Sequence, residues 1–350
     1  MRKIKVGLVF GGKSAEHAIS LKSTAAIFKH LDREKYDPSL IYINRMGEWA
    51  PTRDISFIEE SYQKEKFLPF LPWNAIAVTS LGMDIYFPVL HGPNGEDGRI
   101  QGLFELAGVP FVGANSLSSV LAMDKIVSKT LFKNAGLKQA DWLYFVLNDH
   151  QHIAELVAKR LSWPVFVKPC SLGSSVGITK VSDPSRLPAA VDLAFSYDRK
   201  ILVERAVDMR EIEIAVMGNE QVMISRPGEL IPFKEFYDYE DKYLLGKTQF
   251  SIPADLDPET EKDIKRVALK SYRALFLNGM ARIDLFLEKN SGQVYINEIN
   301  TIPGFTEISM FPKLWNLEGI GFNELLTRLI DYGMDYHQKT KVNVHEDPGN

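Results

Sequence analysis

Only one cysteine, Cys170, occurs in 350 residues. It has no partner for an internal disulfide, so the expected setting is a reducing one, the cytoplasm. A surplus of one charge is missing too. Lys plus Arg number 41 against 45 Asp plus Glu, for a net charge of −4. That balance offers no basic surface for nucleic acid or for an anionic membrane. No apolar run approaches the roughly 20 residues that span a bilayer. The opening MRKIKVGLVFGG turns basic then apolar, but its apolar run is short and ends in glycines. It reads as a strand, not as a signal segment. Internal repeats and low-complexity stretches are lacking as well. The polar residues 338–350 are expected to fray.

The hydrophobic content is 45%, enough for real cores. A chain of this length suggests two or three domains. Residues 4–10 form a buried-strand run, Gly11-Gly12 a tight turn, and Ser14 a candidate N-cap for a helix to Leu31. Strand, glycine turn and helix open a doubly wound α/β domain. Gly7 to Ser14 also matches the Walker A pattern letter for letter. Gly7 lies inside the strand run, however, and Leu8, Val9 and Phe10 are core residues, so a phosphate-cradling loop is not expected. Further strands are expected at 36–44, 83–90 and 109–112, and a helix at 100–107. Residues 45–72 show no clear period. His91-Gly-Pro-Asn-Gly-Glu-Asp-Gly98 is a shaped loop at a strand's C-terminal end, where α/β sheets bind ligands. The spacing of His91, Glu96 and Asp97 fits no metal-ligand pattern, and Asp97 suits a turn.

Past a boundary near Ala122, a helix is expected from Met123 to Ala135 with Gly136 as its cap. A strand at 142–147, a helix capped by Asn148 and a strand at 165–168 follow. Lys168-Pro-Cys-Ser-Leu-Gly173-Ser174-Ser175-Val-Gly177, before a strand at 178–181, describes a hairpin loop able to fold over phosphates. Cys170 in this loop has no catalytic neighbours and reads as structural. Residues 201–204 form a strand ending in a carboxylate. Residues 211–216 alternate, with Glu213 read as part of a solvated face. Residues 233–251 are aromatic, charged and aperiodic, which suits a lid. A helix from Asp257-Pro258 to Phe276 carries one apolar stripe. Residues 305–310 lead away from the stretch before them, and a helix at 322–332 closes the fold.

The most informative stretch is MARIDLFLEKNSGQVYINEINTIPG, residues 280–304. Two apolar runs flank Lys289-Asn290-Ser291-Gly292, a strand–turn–strand signal. Side chains alternate along a strand. Arg282 and Asp284 therefore share a face, as do Glu298 and Asn300, while Ile296 and Ile299 pack. Converging oxygen donors suit Mg²⁺, which takes one or two carboxylates and completes its shell with phosphates and water. Arg282 beside them is placed to meet charge on a transferring phosphoryl group. The plainer alternative is a half-exposed hairpin with solvated polar residues.

R-I-D followed by I-N-E-I-N-T-I-P-G resembles the metal-binding signature of the ATP-grasp ligases, most closely of the D-alanine–D-alanine ligase family. GGKSAEHAISL, HGPNGEDGRIQG and the glycine–serine loop match in the family's order, over nearly the whole chain. The resemblance implies an N-terminal doubly wound parallel-sheet domain (1–122), then an ATP-grasp module of two lobes, 123–215 and 216–350. It implies ATP-dependent joining of two D-alanine molecules through an acyl phosphate, for peptidoglycan synthesis, by a homodimer. Glu16 would hold the first substrate's ammonium, although helix-dipole compensation explains a carboxylate there as well. His91, Lys242, Ser309 and Met310 would complete the substrate pocket, and Tyr243 would form a triad with Ser174 and Glu16. Lys125, Lys168 and Ser175 would contact phosphates. Glu204 through Val207 would contact adenine, Glu211 would take the ribose hydroxyls, and Phe236 and Asn297 would belong to the ATP site. Ala206 departs from relatives that carry an aromatic in that hinge. Asp284, Glu298 and Asn300 would bind two Mg²⁺ ions, with Mn²⁺ as a substitute, and Arg282 and the N–H of Gly304 would stabilise an oxyanion. Two rivals remain: an ATP-grasp enzyme with another acceptor, and a nucleotide-binding module without turnover.

Overall fold

A computed structural model describes residues 2–52, 75–148, 152–231 and 249–340. The first strand, β1 (Ile4–Gly11), is buried from Val6 onward. It pairs in parallel with β2 (Tyr36–Ile43) and β4 (Ile85–Val89), and β3 (Trp49–Thr52) adds an antiparallel edge. Alternate residues of β1 feed two cores, as a sheet covered on both faces requires. Val6, Leu8 and Phe10 pack with α1 (His17–His30), and Val9 packs with Ile100 and Phe104 of α3 (Arg99–Leu106). Between β3 and β4 lies α2 (Ala75–Ser80). Gly7 sits within β1, where an added Cβ would stand 3.0 Å from Met83 and Tyr86. This is strand packing, so the Walker-like letters form no phosphate loop.

Several expected boundaries moved. Ser14 does not cap α1. Its Oγ accepts the N–H of Glu16 in a turn, and Glu16 itself holds the N-cap position. The strand expected at 109–112 is reduced to one bridge, Tyr86 to Phe111. Residues leading out of this unit form a further helix, α4 (Ser116–Met123), capped by the Asn115 side chain. Asp124, whose carboxylate accepts the N–H groups of Ile126 and Val127, starts α5 (Lys125–Asn134), and Gly136 ends it at φ 66°.

The second sheet runs β5 (Trp142–Val146), β8 (Lys200–Arg205), β6 (Val165–Pro169), β7 (Thr179–Val181). Asn148 is not a cap: α6 (Ile153–Arg160) begins after His152. An unanticipated helix, α7 (Leu187–Tyr197), covers one face. The third sheet centres on β9 (Met209–Gly218) and β13 (Met280–Glu288), antiparallel along their length. Beyond β13 is β14 (Val294–Asn300). Beyond β9 are β10 (Val222–Ile224), β11 (Gly228–Ile231) and β12 (Gln249–Ser251). Residues 215 and 216 both lie within β9. Behind this sheet packs α8 (Pro258–Ala274), capped by Asp257, with Ile264, Val267, Ala268 and Tyr272 buried.

Residues after Ser309 do not simply lead away. They form α9 (Met310–Leu317), and α10 extends past the expected end, Phe322–Thr340. Leu325, Leu326, Leu329 and Ile330 of α10 share a core with Val6, Leu8 and Phe10 of β1. The last described helix thereby packs on the first strand. The approach is tight at Gly333, where a Cβ would fall 2.5 Å from the Phe111 carbonyl. Among the described residues no helix is long and apolar enough to cross a membrane.

Candidate active site

The site is built on β13 and β14. Asp284 stands opposite Glu298, but Leu285 stands opposite Ile296, so Asn297 is an extra residue in β14. Such a bulge breaks the two-residue alternation. It explains how Ile296 and Ile299, three apart, are both buried, while Asn297 and Glu298, adjacent, both reach the cavity side. Two cavities meet here. One is lined by Lys125, Lys168, Ser175, Val207, Glu211 and Asn297, and the other by Glu16, His91, Gly304, Ser309 and Met310. Ser174, Glu213 and Glu298 face both.

At the junction Arg282 forms a fork on Asp284, Nε to Oδ1 and Nη2 to Oδ2, each 2.7 Å. Asn300 Nδ2 donates to Asp284 Oδ2 at 2.9 Å. Glu213 Oε2 lies 3.3 Å from Arg282 Nε. The solvated face expected for Glu213 is therefore wrong: its residue is 8% exposed and it faces the guanidinium. Burial pulls the Arg282 guanidinium down, but Asp284 and then Glu213 outweigh it and hold it well above its ordinary value. The clue was present in the alternation Glu211, Glu213, which marks the cavity face rather than solvent.

Lys125, first residue of α5, donates its ammonium to the Leu172 carbonyl at 2.8 Å and lies 3.4 Å from Glu298 Oε2. Lys168 Nζ donates to Glu204 Oε2 at 2.7 Å, and Lys129 donates to Oε1. Burial raises the Glu204 carboxyl, yet these two cations overcome it and bring it down to about 2. Nothing in the sequence singled out Lys129. It lies one helical turn after Lys125, and that spacing was the available signal.

Glu16, at the start of α1, accepts a 2.5 Å hydrogen bond from Ser174 Oγ. Ser174 and Ser175 adopt φ 52° and 59°, strained for residues other than glycine and a frequent mark of functional loops. His91 is buried, with Nδ1 3.0 Å from the Ile302 carbonyl and Nε2 3.3 Å from Ser23 Oγ. Burial lowers its pKa. Glu96 bridges two segments, accepting the N–H groups of Gly92 at 2.7 Å and Ile302 at 3.3 Å. Burial and the nearby Glu16 push its carboxyl up to about 8. As expected, Asp97 shapes its turn, accepting from Asn94 N at 2.8 Å. Cys170 is buried, and burial pushes its thiol up to about 12, which suits a structural role. Ser309 Oγ accepts the Thr306 N–H at 3.0 Å beside Gly304, at the N-terminus of α9. Phe236, Lys242 and Tyr243 lie outside the described residues.

Among the described residues, no group of three or more His, Cys, Asp or Glu is placed to hold a metal ion. Two carboxylates, Asp284 and Glu298, with the Asn300 amide make the oxygen set on adjacent strands. A Mg²⁺ ion completed by phosphates and water asks for no more, so the residues fit.

Comparison with known proteins agrees along the whole chain. Residues 5–114 match the family model described as D-ala D-ala ligase N-terminus, and residues 131–331 the one described as D-ala D-ala ligase C-terminus. A D-alanine–D-alanine ligase of Thermoanaerobacter sp. (strain X514) is 45% identical, over 97% of this chain and 99% of the relative. One from Heliobacterium modesticaldum is 42% identical over 99% of both. Among solved structures, a D-Ala:D-Ser ligase from Enterococcus faecalis superposes with a TM-score of 0.87 at 36% identity, covering 95% of this chain and 99% of that one. The D-alanine–D-alanine ligase of Coxiella burnetii gives 0.84 at 33% identity, covering 97% and 96%. Family models over both halves, full-length relatives above 40% identity and the shared fold agree: this chain belongs to the D-alanine–D-alanine ligase family.

Proposed function

We propose that this chain joins two D-alanine molecules into D-alanyl-D-alanine for peptidoglycan synthesis, through D-alanyl phosphate, releasing ADP and phosphate. The observation that carries this reading is the meeting of two cavities at Arg282, Asp284 and Glu298. One is lined by lysines suited to phosphates, the other by a carboxylate suited to an ammonium. Amide formation from a free carboxylate is uphill in water, and phosphoryl transfer across that junction activates it.

Each residue then has a task. Lys125, Lys168 and Ser175 hold phosphate oxygens, and Glu211 takes the ribose hydroxyls. Glu204 is already held by two lysines, so adenine meets the backbone of the Glu204–Val207 hinge, with Asn297 nearby. Bound Mg²⁺ or Mn²⁺, one ion held by Asp284 and Glu298 and a second by Glu298 and Asn300, would supply charge neutralisation at the phosphates. Glu16 holds the first D-alanine's ammonium, with His91 behind it. Arg282 and the Gly304 N–H stabilise charge on the carbonyl oxygen attacked by the second amine. Ser309, with Met310 at the N-terminal end of α9, receives the second substrate's carboxylate, a favourable place for an anion. By family resemblance Lys242 adds a cation there, Tyr243 completes the Glu16–Ser174 triad, and Phe236 belongs to the ATP site. The N-terminal sheet serves the first substrate and the two ATP-grasp lobes enclose the nucleotide. The enzyme acts in the cytoplasm as a homodimer, which light scattering on the purified protein tests.

The decisive assay follows ADP release with ATP and Mg²⁺, adding D-alanine, L-alanine or D-lactate separately. Turnover with D-alanine alone, yielding the dipeptide, supports the reading; turnover with none of them defeats it. The likeness to a D-Ala:D-Ser ligase raises a second reading, D-serine as the second substrate. Competition between D-alanine and D-serine, with the products separated by mass, decides between the two.

A further inference from the structure

Three carboxylates stand in one row across adjacent strands. Asp284 on β13 is directly opposite Glu213 on β9 and directly opposite Glu298 on β14. Like charges placed opposite each other on a sheet repel, so the row needs compensation. Arg282 supplies it, but unevenly. Its fork takes both oxygens of Asp284, and Asn300 adds a third N–H donor to Oδ2. A metal ion on Asp284 competes with these donors for the carboxylate and draws its charge away from Arg282. The guanidinium is nearly enclosed, with its side chain 21% exposed. A guanidinium that loses its partner in such a place is left as an uncompensated buried charge unless another carboxylate is within reach.

We infer that Glu213 is that second carboxylate, a positioning residue that takes over Arg282 when Asp284 turns to the metal. Its Oε2 already lies 3.3 Å from Nε, the very nitrogen that donates to Asp284. It faces both cavities, so Arg282 stays at their junction while Asp284 changes partner. Glu213 serves the metal without ligating it. The Asp284–Arg282 fork is a resting pair rather than a block to metal binding.

This inference rests on the metal site of the proposed ligase, so its test reads metal affinity rather than turnover. Mn²⁺ is titrated into full-length protein saturated with a non-hydrolysable ATP analogue, and free Mn²⁺ is followed by electron paramagnetic resonance. Glu213→Gln is expected to weaken Mn²⁺ binding at least fivefold, while analogue affinity without metal stays within twofold. In an Arg282→Met background the same substitution is expected to change nothing, because no guanidinium remains to be held. Equal Mn²⁺ affinity for wild type and Glu213→Gln overturns the inference. So does a full effect in the Arg282→Met background, which makes Glu213 act on the metal directly. Should Glu213→Gln not fold, Glu213→Asp serves: it keeps the charge but withdraws it from Nε, so weaker Mn²⁺ binding supports the inference and wild-type affinity overturns it. Wild-type protein that binds no Mn²⁺ with the analogue present defeats the proposed metal site instead.

Discussion

Ser174 Oγ donates to Glu16 Oε1 at 2.5 Å, a contact between residues 158 apart in sequence. It ties the glycine–serine loop of the nucleotide cavity to the start of α1 at the substrate cavity. Under the proposed function, a loop that closes over phosphates would also close over the first substrate. Ser174→Ala removes a hydrogen bond to a charged group, worth about 1.5–3 kcal/mol. The expected outcome is a KM for the first D-alanine raised about tenfold or more, with the KM for ATP changed much less. Steady-state kinetics with each substrate varied in turn checks this, and equal changes in both count against a shared closure.

Arg282 holds two carboxylates, so its removal has two costs. Arg282→Ala leaves Asp284 and Glu213 buried without their cation, which destabilises the fold by about 3–5 kcal/mol. Arg282→Lys keeps the charge and loses the fork. That variant is expected to bind an ATP analogue as wild type does but to ligate at least about a hundredfold more slowly. Calorimetry and turnover measured side by side decide it. Equal loss of binding and ligation means that Arg282 serves the nucleotide, not the oxyanion.

Glu96 sets a pH dependence of stability with an unusual sign. Its folded pKa, about 8, lies above the ordinary glutamate value of 4.5. A carboxyl raised on folding stabilises below its unfolded pKa, and that contribution is lost as pH rises through its folded pKa. Glu96→Gln stays neutral at every pH. The variant's Tm relative to wild type is therefore expected to climb between about pH 4.5 and pH 8, then level off. At that plateau the difference is a few kcal/mol, since one pKa unit is about 1.4 kcal/mol. A Tm difference that is flat across this window contradicts a neutral Glu96.

Gly304 has no room for a side chain: a Cβ would stand 2.7 Å from Ser309 Oγ. That hydroxyl is fixed by Thr306, through its N–H at 3.0 Å and its own hydroxyl at 2.7 Å. Gly304→Ala is expected to push Ser309 aside, raising the KM for the second D-alanine and lowering kcat, each about tenfold, with little change in ATP affinity. Unchanged kinetics for the second substrate removes Ser309 from that pocket.

Much of this was readable in the residues. The first strand and its glycine turn, the helix start at Asp257-Pro258, Gly136 at a helix end and the β13–β14 hairpin follow from local patterns that the tertiary structure leaves intact. Ser14 and Asn148 failed as caps because short polar side chains serve turns as readily as helix starts. The helices α4 and α7 escaped notice because apolar residues are spread around them, so their periodicity is weak. Glu213 was misread and Lys129 missed for another reason, despite the Glu211–Glu213 alternation and the one-turn spacing from Lys125. A charged residue on a strand or helix looks solvated until the partner that buries it is known, and their partners, Arg282 and Glu204, lie about 70 residues away.

The extra residue in β14 has a consequence that no substitution reproduces. Strand side chains keep count by parity, and Asn297 resets the count between Ile296 and Glu298. Deleting Asn297 would restore an even rhythm and leave Ile296 and Ile299 inward and Glu298 and Asn300 outward, so the carboxylate row would survive while the nucleotide cavity lost part of its wall. Asn297 thus adds a side chain to the cavity without moving its neighbours, a single extra beat that leaves the rest of the rhythm unchanged.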